Sequence, residues 1–308
     1  MSETAGWPIG VLLVGDEGVV LRDSESPDSV RKAEELIVRF WGVRGSIPVP
    51  GPGTVRSGGN TPCVEIQYVG RETLILDAGT GIRLLGLDLD QRPRERLVAV
   101  LLFSHTHWDH IQGFPFFSPA RMRNNRLVIL GGRRVGSHLE QVLAGQMADA
   151  YLPFTLDDLR ADVLIKEALD GEKLVIGDTI SVLPRRLNHP GGVFGYRISR
   201  RGKVIVYASD VGHPQGDLDE RVVELAQGAD LLIHDAQFTP EEKRQRLDWG
   251  HSSWEEAVEV AIRAGVRRLA LFHHDPMHDD DQLDEIERQA RTRFAGAFLA
   301  REGMEVRI

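Results

Sequence analysis

With 308 residues and a formal net charge of -9, the chain is too acidic to favour a basic surface that tracks long nucleic acid. Hydrophobic residues at 42% and charged residues at 27% describe an ordinary globular protein, and no apolar run nears the ~20 residues that span a bilayer. Cys63 is the only cysteine, which excludes an intrachain disulfide and points to the cytoplasm, as does the lack of an apolar leader.

Residues 1–37 read as an extension, with a short strand expected over Ile9–Val14 and a short helix over Ser29–Leu36. An edge hairpin, a dimer contact and a vestige are all open readings for it. The main domain is expected to run from 38 to 308. Its first long segment, Gly42–Asn60, is rich in Gly and Pro and reads as a loop with unusual backbone angles. Val64–Tyr68 and Thr73–Leu76 alternate as a hairpin around Gly70, and Asp77 closes the second strand in LDAGTG.

Leu97–Phe103 (LVAVLLF) has the length and unbroken apolar character of a buried strand. It delivers SHTHWDH, Ser104 to His110, onto the loop past its carboxyl end. His105 and His107 are two apart, so extended backbone would point both rings the same way, while Asp109 and His110 follow at a turn. Three imidazoles and a carboxylate within six residues point to metal, because histidine is seldom so dense without one.

Downstream, Ile111–Phe117 should start a helix broken by Pro115, Leu127–Leu130 is a strand, and Gly136–Ala150 has helical character. Residues 151–175 look like an insertion plus a strand, whose YLPF cluster suits local packing or a dimer contact. The second half repeats the strand-then-ligand arrangement: Ile180–Pro184 leads to His189, Val204–Ala208 to Asp210, Ala229–Ile233 to His234 and Asp235, and Leu269–Phe272 to His273. His251 opens GHSSWEEA, in which Ser252 or Ser253 with Glu255 or Glu256 makes a capping box for a helix to about Ala264. Alternating strands and helices in both halves imply two sheets sandwiched between helices, with ligands at strand ends.

H-x-H-x-D-H after an apolar strand, with SGGNTPC before it and NHPGG, YASD and FHHDP after it, resembles the metallo-β-lactamase superfamily of metal-dependent hydrolases, in its phosphodiesterase branch. The resemblance runs from about Val38 to the C-terminus. It implies an α/β, four-layer αββα sandwich holding two divalent ions, with zinc expected and manganese or iron compatible with N/O donors. It assigns His105, His107 and His189 to the first ion, Asp109, His110 and His273 to the second, and Asp210 to the bridge between them. Asp77 would order the metal-bearing loop through hydrogen bonds.

Two such ions, ~3.5–4 Å apart, can activate a water and neutralise charge on a phosphoryl group. GHSS and IHDA resemble motifs of the tRNA 3′-processing endonucleases, which makes His251 the expected general acid and Asp235 its orienting partner; Asp109 counts with them among the catalytic residues. That pair favours phosphodiesters over β-lactams, lactones or thioesters. A 3′,5′-cyclic nucleotide is the first substrate expected, because GVRGSIP, SHTHWDH and FHHDP look most like stand-alone cyclic nucleotide phosphodiesterases. The alternative is a tRNA 3′-processing nuclease, against which stand the acidity and the lack of a Lys-rich arm. A cyclic phosphodiesterase of the carbon–phosphorus lyase type would carry a Cys-rich zinc site that is missing here. An inactive scaffold would have lost a ligand, and an oxidoreductase would show a flavin domain or a mononuclear iron pattern. Homodimerisation is implied by resemblance. His213 is expected near the cleft, His234 behind Asp235, His274 pointing away from the site, His138 in solvent, and His278 with Asp279–Asp281 at a solvated helix start.

Overall fold

The computed structural model describes residues 12–14, 17–20, 36–68, 72–93, 95–132, 138–177, 180–214 and 217–308. Two seven-stranded sheets carry the molecule. The first runs, in spatial order, Glu305–Arg307, Leu36–Gly42, Cys63–Tyr68, Glu72–Leu76, Val98–Phe103, Arg126–Gly132 and Asp162–Ala168. The second runs Ala297–Leu299, Leu269–Phe272, Leu231–Asp235, Lys203–Ala208, Val193–Arg200, Ile180–Leu187 and Leu174–Ile176. Each sheet is antiparallel on one side and parallel on the other. The parallel strands Val98–Phe103, Lys203–Ala208, Leu231–Asp235 and Leu269–Phe272 lead to functional residues at their carboxyl ends, and Ile180–Leu187, antiparallel to both its neighbours, leads to His189.

The apolar run Val98–Phe103 shows why the layers form. Val100 and Leu102 point between the sheets, where they join Phe40, Ile66, Tyr207 and Phe272. Ala99, Leu101 and Phe103 point the other way, onto Ile82, Leu85 and Leu143 of the helices Ile82–Gln91 and Leu139–Gln146. A strand covered on both faces must be apolar throughout, so its period-2 alternation disappears from the sequence. Leu231–Asp235 repeats the device, with Ile233 between the sheets and Leu232 against Val258 and Leu283 of Trp254–Arg263 and Asp280–Arg293. Helix, sheet, sheet, helix is the four-layer αββα sandwich expected.

Several elements differ locally. The helix expected after the histidine motif begins earlier, as Trp108–Ile111, and is followed by a separate 3₁₀ turn, Phe114–Phe116, with Pro115 inside it. The strand expected within 151–175 is Asp162–Ala168, which completes the first sheet as its edge beside Arg126–Gly132. Ser253 and Glu256, of the four candidates, make the capping box. At the N-terminus Leu12–Val14 and Glu17–Val20 pair antiparallel as a hairpin, and the helix expected at Ser29–Leu36 falls outside the described residues except for Leu36, which is strand. Among the described residues no helix is long and apolar enough to cross a membrane.

Candidate metal centre

Parallel strands place their carboxyl ends together, where six of the seven expected donors meet and where the antiparallel strand Ile180–Leu187 delivers the seventh, His189. His105 and His107 stand with ring centroids 4.4 Å apart, as their two-residue spacing requires. His189, from the turn after Ile180–Leu187, brings Nε2 to 3.2 Å from His107 Nδ1. Asp109 and His110 face the other way: His273 Nε2 lies 3.1 Å from Asp109 Oδ2 and 3.3 Å from His110 Nε2. Asp210 stands between the two groups. Its Oδ1 is 3.1 Å from His110 Nε2 and 3.2 Å from His273 Nε2, while Oδ2 is 3.6 Å from His105 Nε2 and 4.0 Å from His189 Nε2. Donor atoms of His105, His107, His189 and Asp210 lie within 4.8 Å of one another, as do those of Asp109, His110 and His273.

Backbone conformation marks the same place. Five non-glycine residues among those described have φ between +47° and +66°, and four of them, Ser46, Asp77, Asp210 and His273, are at the site. Such angles cost an L-residue energy and persist where surrounding packing imposes them, as in binding sites. Asp210 and His273 turn this way at the ends of their strands, which swings both side chains across the mouth of the sandwich.

The donors' second nitrogens are held as ligand imidazoles need. His110 Nδ1 donates to Asp77 Oδ2 at 2.8 Å, His189 Nδ1 to the Gly250 carbonyl at 2.8 Å, and His273 Nδ1 to Gln237 Oε1 at 3.1 Å. Each bond leaves Nε2 with its lone pair turned inward. Asp77 also accepts from Ser104 N–H, Ser104 Oγ and Tyr207 Oη, each at 2.7 Å. The Ser46 N–H fixes Asp109 Oδ2 at 2.7 Å.

Whether these residues fit cations can be read from burial. His105 Nε2 is buried with no hydrogen-bond partner among the described residues, an expensive arrangement unless it ligates something. Burial, and then His110 beside it, hold the His105 imidazole well below its ordinary pKa, hence neutral and able to donate a lone pair. Burial alone would push the Asp210 carboxyl up, but His110, His273 and His105 outweigh it and keep the group ionised. Buried imidazoles grouped around ionised carboxylates are the donor set of divalent transition ions, and the residues fit two of them.

Asp235 and His251 adjoin this centre. His251 Nδ1 is 2.8 Å from Asp235 Oδ2, and the imidazole stacks on His273 with centroids 5.0 Å apart and planes 16° apart. Asp235 is fully buried and also accepts the N–H groups of Val211 and Gln237.

The remaining histidines divide. His274 points away from the donors, onto the Ala300 carbonyl at 2.8 Å, and His138 caps the helix Leu139–Gln146 beside Glu167. His234 bonds the Asp235 carbonyl, and His213 accepts the Asp219 N–H without joining the donor cluster. The helix start expected at Asp279–Asp281 is present, capped by Asp279, but it is not all solvated: His278 is buried and paired with Glu242 at 3.0 Å, and Asp280 is buried against Ser57. Ser46, Ser104, Gln237 and Gly250 carry no sequence mark of their roles. Tyr207 alone left a trace, a hydroxyl inside the buried run VIVYA.

A family model described as "Beta-lactamase superfamily domain" matches residues 72–274. A ribonuclease Z from Gemmatimonas aurantiaca is 27% identical over 325 aligned positions, covering 89% of this chain and 96% of that protein. Among solved structures, the metallo-β-lactamase fold protein YhfI from Bacillus subtilis superposes with a TM-score of 0.68 at 20% identity, covering 89% of this chain and 100% of that one. The short form of human tRNase Z superposes with a TM-score of 0.63, also at 20% identity, over 88% of this chain and 98% of that one.

Proposed function

The chain belongs to the metallo-β-lactamase superfamily and is a metal-dependent hydrolase; from that premise we propose that it cleaves phosphodiesters. The observation that carries the reading is the His251–Asp235 pair, 2.8 Å apart and stacked against the donor cluster. A thiolate expelled from a thioester is a weak base that departs unprotonated, whereas an alkoxide expelled from phosphorus needs a proton at once.

In this proposal His105, His107 and His189 would hold one divalent cation, Asp109, His110 and His273 a second, and Asp210, which faces both groups, would contribute to each; zinc is the expected ion. When bound, the pair supplies Lewis acidity, which activates water and offsets charge developing on the phosphoryl oxygens. Asp77 and Gln237 keep the ring nitrogens of His110 and His273 in the tautomer that turns Nε2 inward. Asp235 takes the Nδ1–H of His251, which leaves Nε2 as the atom that gives a proton to the departing oxygen. Gly250, next in the chain to His251, anchors His189 through its carbonyl, so one loop sets both a ligand and the acid.

RNA is the substrate class favoured first, because the ribonuclease Z relative aligns along almost its whole length. A 3′,5′-cyclic nucleotide comes second, favoured by the net charge of -9, which suits a small substrate over a long polyanion. The hydrolase unit is taken as 38–308, with 1–37 as an extension. Precursor tRNA with a 3′ trailer and a panel of cyclic nucleotides, each with zinc or manganese and again after chelation, test the proposal. Trailer release that chelation abolishes supports the first reading; cyclic-nucleotide opening alone supports the second; no diester cleavage with either ion overturns both.

A further inference from the structure

Beside His251 the chain makes a 3₁₀ turn, Leu247–Trp249, that the chemistry above does not use. Trp249 is 60% exposed, an unusual state for the largest apolar side chain. It is nonetheless held in place. Phe238 meets its ring edge-on at 6.5 Å and meets the His251 ring at 5.9 Å, so Phe238 stands between the indole and the proposed acid. The Arg246 guanidinium lies 5.1 Å from the Phe238 ring and 5.7 Å from the Trp249 ring. Its Nη1 is buried with no hydrogen-bond partner among the described residues. Three more large apolar side chains are exposed close by in the chain to site residues: Ile47 after Ser46, Trp108 between His107 and Asp109, and Met277 four residues past His273.

A braced indole open to solvent next to a guanidinium with an unpartnered Nη1 matches what a nucleotide offers, a π-face and a phosphate. We propose that Trp249 and Arg246 form a subsite for the nucleoside flanking the scissile diester, the indole stacking the base and the guanidinium facing an adjoining phosphate. The inference rests on the phosphodiester reading for its location. It narrows the substrate class to nucleotides. An apolar patch made for a second copy of the chain would not bury a cation with an open donor beneath its aromatic ring.

The test is binding of adenosine 5′-monophosphate and of ribose 5-phosphate, its base-free counterpart, to the metal-loaded protein by calorimetry. Wild type should prefer the nucleotide. Trp249→Ala should cut that preference by ~5- to 150-fold, the worth of one stacked base, while Trp249→Phe keeps most of it. Arg246→Gln should weaken the nucleotide and reduce the slope of log K against log salt by ~0.7 to 1. Tyr151→Ala, at an exposed aromatic outside the cluster, should keep the wild-type preference. A preference that survives Trp249→Ala, or that Tyr151→Ala removes equally, overturns the subsite. Because binding is read without turnover, the two proposals separate: diester cleavage with an unchanged preference sinks the subsite alone, and a Trp249-dependent preference without diester cleavage sinks the phosphodiester reading alone.

Discussion

The Tyr207 hydroxyl donates to Asp77 Oδ2 at 2.7 Å, joining the second sheet to the first across 130 positions of sequence. Both groups are fully buried, and Asp77 also holds His110 Nδ1. The two halves of the centre are therefore tied through one carboxylate.

Tyr207→Phe removes one of the four donors to Asp77 while keeping the ring that packs on Phe272 at 5.8 Å. A hydrogen bond to a buried charge contributes ~1.5–3 kcal/mol, so urea denaturation should show a loss in that range. Metal affinity should fall by ~10–100-fold, the usual cost of losing an outer partner of a ligand. Metal titration with unchanged affinity would mean that Ser104 and His110 fix Asp77 without help.

Asp210→Ala should reduce tight metal binding below two ions per chain, because its two carboxylate oxygens face both groups of donors. Elemental analysis after gel filtration measures it. Full retention of two ions would refute the bridging role.

His251→Ala should leave metal content intact and slow cleavage of diesters with an alkoxide leaving group by ~10²–10⁴. With bis(p-nitrophenyl) phosphate the loss should be far smaller, since nitrophenolate departs without a proton. Equal losses on both substrates would return His251 to a packing role against His273 and His189.

Arg44 is the largest fully buried side chain among the described residues, and its guanidinium donates to the carbonyls of Gly58, Asp275 and His278 and to Ser57 Oγ, at 2.6 to 3.1 Å. It clamps the loop that carries Ser46 to the segment that carries His273. Arg44→Ala should cost ~3–5 kcal/mol, as expected when buried polar partners of a charge are left unpaired. Arg44→Lys should rescue little, because an ammonium cannot reproduce the planar fork. Chemical denaturation of the three proteins decides it.

His213 gives a pH dependence. Burial, and then His234 and Lys243 beside it, lower its pKa from 6.5 to about 3, against the opposing charges of Asp235 and Asp219. Above 6.5 neither the folded nor the unfolded chain protonates it, so it leaves stability unchanged. Between 6.5 and about 3 only the unfolded chain binds the proton, and stability falls as the pH drops, by up to ~1.4 kcal/mol per unit. His213→Asn keeps an acceptor for the Asp219 N–H and should flatten that slope in the metal-free protein. Parallel stability curves for variant and wild type from pH 6.5 to 4 would show that His213 protonates in the folded state.

The strand before SHTHWDH, the loop that follows it, and the strand-end positions of His189, Asp210, Asp235 and His273 were legible in sequence. Each is a local pattern: an apolar run of strand length followed at once by a polar side chain able to bind metal or move a proton. The partners that orient them were not. Asp77 with Tyr207, His273 with Gln237, and Arg44 with His278 lie 130, 36 and 234 positions apart, and nothing in the spacing of such pairs marks them. The acidic run at Asp279–Asp281 shows the limit most plainly: composition makes it a solvated helix start, yet packing against Arg56 and Ser57 buries Asp280. Local chemistry determined which residues could act, because ligand type and strand pattern are properties of short segments. Which of them meet, in what tautomer and at what backbone angle, was decided only when two sheets closed on a shared core, because burial and long-range hydrogen bonds exist only in the assembled fold.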